Sequence, residues 1–118
     1  MRYLLVFMFF INSFLYSQKK ESTDSTAYYT NLANSSIKEN KYKDALLFTQ
    51  KAINYCDNNG QTEAQAIQTY NLGVLYYNLN KYGDAKDIFN ESTALFESLP
   101  PSHEAAKSYY YLSLSYIG

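Results

Sequence analysis

Asn40-Lys41-Tyr42-Lys43-Asp44-Ala45 returns forty residues later as Asn80-Lys81-Tyr82-Gly83-Asp84-Ala85, with one position changed. Self-similarity at a period of roughly 20–50 residues marks a chain built from stacked supersecondary units, each unable to bury its apolar face alone. The period reaches beyond the hexapeptide. Leu32-Ala33, Leu72-Gly73 and Leu112-Ser113 recur at the same spacing. Tyr29 and Tyr109 stand three residues before two of these leucines, and Tyr76 and Tyr116 stand four after two. Apolar and small residues three and four apart describe one face of an α-helix. Ala45 and Ala85 open a second periodic run, with Phe48 or Phe89 and Ala52 or Ser92 on its face. Each unit therefore reads as a helix, a tight turn and a second helix.

Breakers divide the chain at the same places. Asn40 and Asn80 are read as left-handed caps ending the first helix of each unit. Asp44 and Asp84 fall in the first turn of the second helix, where a carboxylate meets the positive end of the helix dipole. Asp57-Asn58-Asn59-Gly60 and Pro100-Pro101 separate successive units, and Thr62-Glu63-Ala64-Gln65 has the pattern of a capping box. Glycine within a helix costs about 1 kcal/mol relative to alanine, so Gly73 predicts an approach too close for a side chain. Ala33, Ser113, Ala45 and Ala85 predict similar contacts in the other helices.

With these residues in view the chain resembles the tetratricopeptide repeat family. Leu72, Gly73, Tyr76, Tyr82, Ala85 and Phe89 follow that family's pattern in the second unit. The first unit follows it through Leu32, Ala33, Tyr42, Ala45 and Ala52, with Ser36 for the aromatic residue and Thr49 for the phenylalanine. The third shows Leu112, Ser113 and Tyr116 and then stops. A period of 40 departs from the family's usual 34, and asparagine replaces the turn glycine. The resemblance implies an all-α fold of antiparallel helix-turn-helix repeats stacked as a right-handed α-solenoid. Its units would be 26–60, 61–101 and an incomplete 102–118, with Leu32, Ala33, Ala45, Leu72, Gly73, Tyr76, Ala85, Phe89, Leu112 and Ser113 at the packing positions.

The resemblance also implies a concave groove lined by the first helix of each unit, holding a peptide or a helix. Carried over residue by residue, that groove would present Thr30, Asn34 and Lys38, then Ile67, Tyr70, Val74, Tyr77 and Asn78, then Lys107, Tyr110 and Leu114. Some members clamp a peptide's C-terminal carboxylates with Lys, Asn and Arg. Here Asn34, Asn71 and Lys107 stand at three such places, but Thr30 and Tyr111 replace the other two basic residues. An aromatic and amide groove is the expected reading. Tyrosine offers large contact area at low entropic cost with a hydrogen-bonding tip.

The N-terminus is a different kind of segment. Arg2, an apolar run from Tyr3 to Ile11 and Ser17 before a charged stretch read as a secretory signal over 1–17, cleaved after Ser17 or, as the alternative, kept as a membrane anchor, followed by a polar linker over 18–25. The expected destination is therefore the periplasm or the exterior. At the other end, Tyr109, Tyr110, Tyr111, Leu112, Leu114, Tyr116 and Ile117 leave an apolar face with nothing after it. Repeat arrays carry polar capping elements, so the expectation is a longer array, the alternative being that residues 102–118 act as a crude cap, with self-association through the third unit as another outcome.

Composition narrows the function. Ten basic and eleven acidic residues give a formal net charge of −1, with no basic face dense enough for nucleic acid. Cys56, the single cysteine, excludes an internal disulfide and a cysteine-cluster metal site. His103 reads as a first-turn surface residue and Cys56 as a partly buried, inert thiol; no catalytic group, cofactor or metal is expected. The expected function is a non-catalytic, exported protein-interaction module. The alternative is the sensory region of a larger membrane-anchored signalling protein, a histidine kinase or a helix-turn-helix regulator.

Overall fold

The computed structural model describes residues 25–117, so the signal-peptide reading of 1–17 and all of the linker except residue 25 lie outside the described residues. The described chain is all helical. Helix α1 covers 25–38, α2 Tyr42–Asn58, α3 Thr62–Asn78, α4 Tyr82–Glu97 and α5 His103–Ile117. Three-residue connections at 39–41, 59–61 and 79–81 join the first four helices. Connections this short make sequential helices antiparallel neighbours. Helices α2 and α3, α3 and α4, and α4 and α5 pack directly, and α3 also touches α5.

The repeated hexapeptide is a machine for turning the chain. Asn40 and Asn80 take φ of 60° and 62°, the left-handed region, as the sequence predicts. In the first turn the Lys41 N–H donates to the Ser36 carbonyl at 2.8 Å and the Asn40 N–H to that of Ile37 at 3.0 Å. The second turn repeats both bonds, Lys81 to Tyr76 at 2.9 Å and Asn80 to Tyr77 at 3.0 Å. This is the Schellman arrangement, which satisfies carbonyls left open at a helix end. Asparagine tolerates that backbone better than other side chains. Each amide oxygen is held in turn by the next tyrosine: Tyr42 Oη donates to Asn40 Oδ1 at 3.3 Å, and Tyr82 Oη to Asn80 Oδ1 at 2.9 Å.

Every other repeated position also has a task. The Lys41 and Lys81 carbonyls accept from Ala45 and Ala85 at 3.0 and 2.9 Å, opening α2 and α4. Asp44 and Asp84 lie in the first helical turn. Ala45 and Ala85 have no exposed surface. The one position that differs, Lys43 or Gly83, is exposed, and a Cβ at Gly83 would meet nothing within 4 Å.

Between the two hexapeptides lies a third turn of the same design. Gly60, with φ of 67°, sends its N–H to the Asp57 carbonyl at 3.3 Å, while the Gln61 N–H reaches that of Cys56 at 2.9 Å. The true step is therefore twenty residues: a helix of 17 and a three-residue connection, used twice to make the period of forty. Two expectations change here. Asp57 and Asn58 belong to α2, leaving only Asn59-Gly60 as the turn. The capping box at Thr62 does not form: Gln61 is the N-cap residue, Thr62 is already helical, and no side chain caps the helix. The Schellman turn places the chain one residue too early for the threonine hydroxyl to serve.

Helices α2 and α4 bury matching stripes, Ala45, Thr49, Ala52, Ile53 and Cys56 on one and Ala85, Phe89, Ser92, Thr93 and Phe96 on the other. These positions follow the helical period, which places them on one face. Phe48 is only half-buried; Thr49, 3% exposed, takes the inward place that Phe89 holds in the next unit. Helix α3 has neighbours on several sides and buries Ala66, Gln68, Thr69, Leu72, Gly73 and Leu75.

Many buried positions are small and polar, and all but Thr49, which lines a cavity described below, have a hydrogen-bond partner. Ser36, Thr69 and Ser115 return their hydroxyl protons to the carbonyls of Leu32, Gln65 and Tyr111, four residues back. Ser108 donates to Ser92 at 3.0 Å, and Ser92 to the Ala66 carbonyl at 3.1 Å, so one buried chain ties α5, α4 and α3 together. No fully enclosed side-chain polar atom among the described residues lacks a partner.

The predicted packing set is uneven. Ala33, Ala45, Leu72, Gly73, Ala85 and Phe89 are buried, while Leu32, Tyr76 and Leu112 are half-buried. Ser113 is exposed, because no described helix lies on that side of α5; Ser108 and Ser115 are the buried residues of this helix. Ala85→Leu is expected to overpack the start of α4 and lower stability by about 1–3 kcal/mol. A urea unfolding midpoint equal to the parent's would refute close packing there.

Candidate functional site

The residues expected to line a groove separate into three sets across the odd-numbered helices. Thr30 and Asn34 of α1 and Val74 and Asn78 of α3 share a cavity of about 260 Å³, together with Asn71. Tyr70 and Tyr77 turn instead toward α5. Lys38, Lys107 and Tyr110 are exposed and Ile67 and Leu114 half-buried, and none of these five lines that cavity.

Tyr70 and Tyr77 belong to a ring cluster that joins the second unit to α5. Phe89 stacks on Tyr111 with centroids 5.6 Å apart and planes at 25°. Tyr70 meets Phe89 at 6.0 Å and Tyr111 at 5.9 Å. Tyr77 meets Tyr111 at 5.6 Å and Tyr82 at 5.1 Å, edge to face. Such offset and edge contacts suit the ring quadrupole and add to the burial of area. Gly73 makes the cluster possible: a Cβ there would lie 2.6 Å from Phe89 Cε1 and 2.7 Å from Cδ1. The expected close approach at this glycine is thus with an aromatic ring. Tyr70, Tyr77 and Tyr111 serve as packing groups, while Tyr110, 61% exposed, meets Tyr111 edge to face at 5.7 Å and is the most exposed ring of the predicted groove.

Moving back forty residues from each member of this cluster gives the lining of the cavity. Thr30 stands for Tyr70, Ile37 for Tyr77, Thr49 for Phe89 and Asn71 for Tyr111, and only Tyr42 keeps the ring of Tyr82. Ala33 replaces Gly73. The interface between the first two units therefore has an opening at the register where the next interface is filled by rings. Its wall combines Ala33, Ile37, Val74 and Leu75 with amides and hydroxyls, and no Lys, Arg, Asp, Glu or His lines it. Gln68 Nε2 donates to Thr30 Oγ1 at 3.2 Å, and Thr30 passes its proton to the Thr26 carbonyl at 2.8 Å, bridging α1 to α3. Among the described residues, the side chains of exposed Asn34 and Asn78, half-buried Asn71 and buried Thr49 have no hydrogen-bond partner. This cavity was legible only in outline, through the replacement of phenylalanine by Thr49; aligning all the aromatic positions at the forty-residue spacing would have located it.

A carboxylate clamp is not assembled. Asn34 and Asn71 do meet in the cavity, but Lys107 is exposed outside it and Tyr111 is occupied with Phe89. His103 opens α5 as an exposed residue. Cys56 is more enclosed than expected, with no exposed surface and its sulfur 3.6 Å from Thr26 Oγ1. No cluster of three metal-ligating side chains occurs among the described residues, and no described helix is long and apolar enough to cross a membrane.

Burial, followed by the nearby Tyr111 hydroxyl, raises the Tyr70 phenol above its ordinary range. A phenol with a raised folded-state pKa contributes stability that is complete below the unfolded value, about 10. That contribution is lost as pH climbs through the folded value. Tyr70→Phe is therefore expected to lose stability less steeply than the parent in alkaline solution. Parallel thermal-melting curves against pH for the two proteins would contradict the burial of this hydroxyl's surroundings.

No known protein family matches the chain, and no curated protein is significantly similar to it. What stands is an all-helical domain whose sequential helices pack as repeat-like hairpins.

Proposed function

We propose that this chain is a non-catalytic, exported protein-interaction module of the tetratricopeptide type, holding a peptide or a helix against the face formed by α1, α3 and α5. The observation that carries this reading is the cavity between α1 and α3, with unspent asparagine amides on an uncharged, partly apolar wall. Concave sites of mixed apolar and polar lining are the usual places where proteins take ligands. Twenty-residue helical steps repeated with the same turn device support a solenoid architecture. Export rests on the basic and apolar pattern of residues 1–17.

The test is selection of a random peptide library on the full chain and on an Asn34→Arg/Val74→Arg variant. Both positions retain solvent contact, so the fold is expected to survive. Peptides enriched by the parent and lost on the variant are the expected result. Equal enrichment on both, or none on the parent, would remove the groove from consideration.

A further inference from the structure

We infer that the cavity between α1 and α3 receives one neutral aromatic side chain bearing a hydroxyl, the phenol of a tyrosine, contributed by the bound partner. This rests on the peptide-binding reading above and names what the site recognises. At the equivalent register one unit later, the space is filled by the chain's own stacked rings, Phe89 and Tyr111. In the first interface those places hold Thr49 and Asn71, and a cavity of about 260 Å³ remains. A ring from outside would restore the packing that the second interface achieves within the chain.

The choice of phenol follows from the lining. Apolar surface from Ile37, Val74 and Leu75 suits a ring. The free amides of Asn34, Asn71 and Asn78 offer both donors and acceptors to a hydroxyl. Because no acidic or basic side chain lines the cavity, a charged ligand would lose hydration without finding a counter-charge. The Thr30 hydroxyl is already engaged with Gln68 and Thr26, so the asparagines, with the Thr49 hydroxyl, are the groups that read the ligand.

The test uses the full chain and four probes: p-cresol, toluene, N-acetyl-tyrosinamide and N-acetyl-alaninamide. The side-chain amide signals of Asn34, Asn71 and Asn78 are followed by proton–nitrogen NMR. The expected result is saturable shifts with p-cresol and N-acetyl-tyrosinamide, weaker binding of toluene and none of the alanine compound. Ala33→Gly/Thr49→Phe transplants the Gly73–Phe89 pair into the first unit and fills the cavity, so it should weaken both phenols by at least about tenfold. Should that variant fail to fold, Asn71→Leu, at a half-buried position, is expected to abolish the preference for p-cresol over toluene. No saturable shift with either phenol, or shifts unchanged by both variants, would overturn the inference. Binding of p-cresol without N-acetyl-tyrosinamide would uphold the phenol site while transferring it to a free small molecule, and the peptide reading would fall.

Discussion

Phe89→Ala is expected to destabilise the protein by about 3–5 kcal/mol, the range for removing a buried aromatic ring. Phe89 is wholly buried. Its ring stacks on Tyr111, touches Tyr70 and lies over the bare backbone of Gly73. Removing it leaves a cavity beneath two tyrosines and breaks the stacked one of the three ring contacts that tie Tyr111 of α5 to the second unit. Residual stability of a native domain is only about 5–15 kcal/mol, so this one change takes a large share. Urea unfolding followed by circular dichroism measures it. A loss below about 1 kcal/mol would mean that the cluster collapses without penalty and that the ring contacts do not hold α5.

Gly73→Leu is expected to cost about 3 kcal/mol, the upper part of the range for overpacking a close-packed core. A Cβ at this place already lies 2.6 Å from Phe89 Cε1, and three further carbons extend into the same ring. Helix propensity acts the other way by about 1 kcal/mol, so a net loss shows that the steric contact dominates. The decisive version is a double-mutant cycle. In a Phe89→Ala background the new leucine occupies vacated volume, and the two changes together should be milder than their sum by at least about 2 kcal/mol. Strict additivity would show that Gly73 and Phe89 do not share the space between α3 and α4. The same exchange of size already exists within the chain, since the first unit pairs Ala33 with Thr49 where the second pairs Gly73 with Phe89.

How far sequence alone reached depended on whether a feature is local. Asn40 and Asn80 were legible as left-handed caps because the preference lies in the residue and its immediate neighbours. Asp44, Asp84, Ala45 and Ala85 were legible for a similar reason: their spacing from the cap sets both their turn and their face. Thr62 misled because two local signals competed, and the preceding Schellman turn at Gly60 set where α3 begins. Phe48 misled because apolarity favours the inner face, while the register inherited from Ala45 places Thr49 there.

The candidate site belonged to the other kind. Tyr70, Val74, Tyr77 and Asn78 share one helix, yet two of them are packing groups and two line a cavity. Nothing in their own segment separates them; the difference is set by Tyr111 on one side and Thr30 and Thr49 on the other. The sequence by itself therefore determined the helical class, the period, the Asn40 and Asn80 turns and the small inward residues Ala45 and Ala85, all governed by interactions within a few residues. Only the tertiary structure decided which interface is closed and which open, because that depends on side-chain volumes brought together from helices distant in the chain.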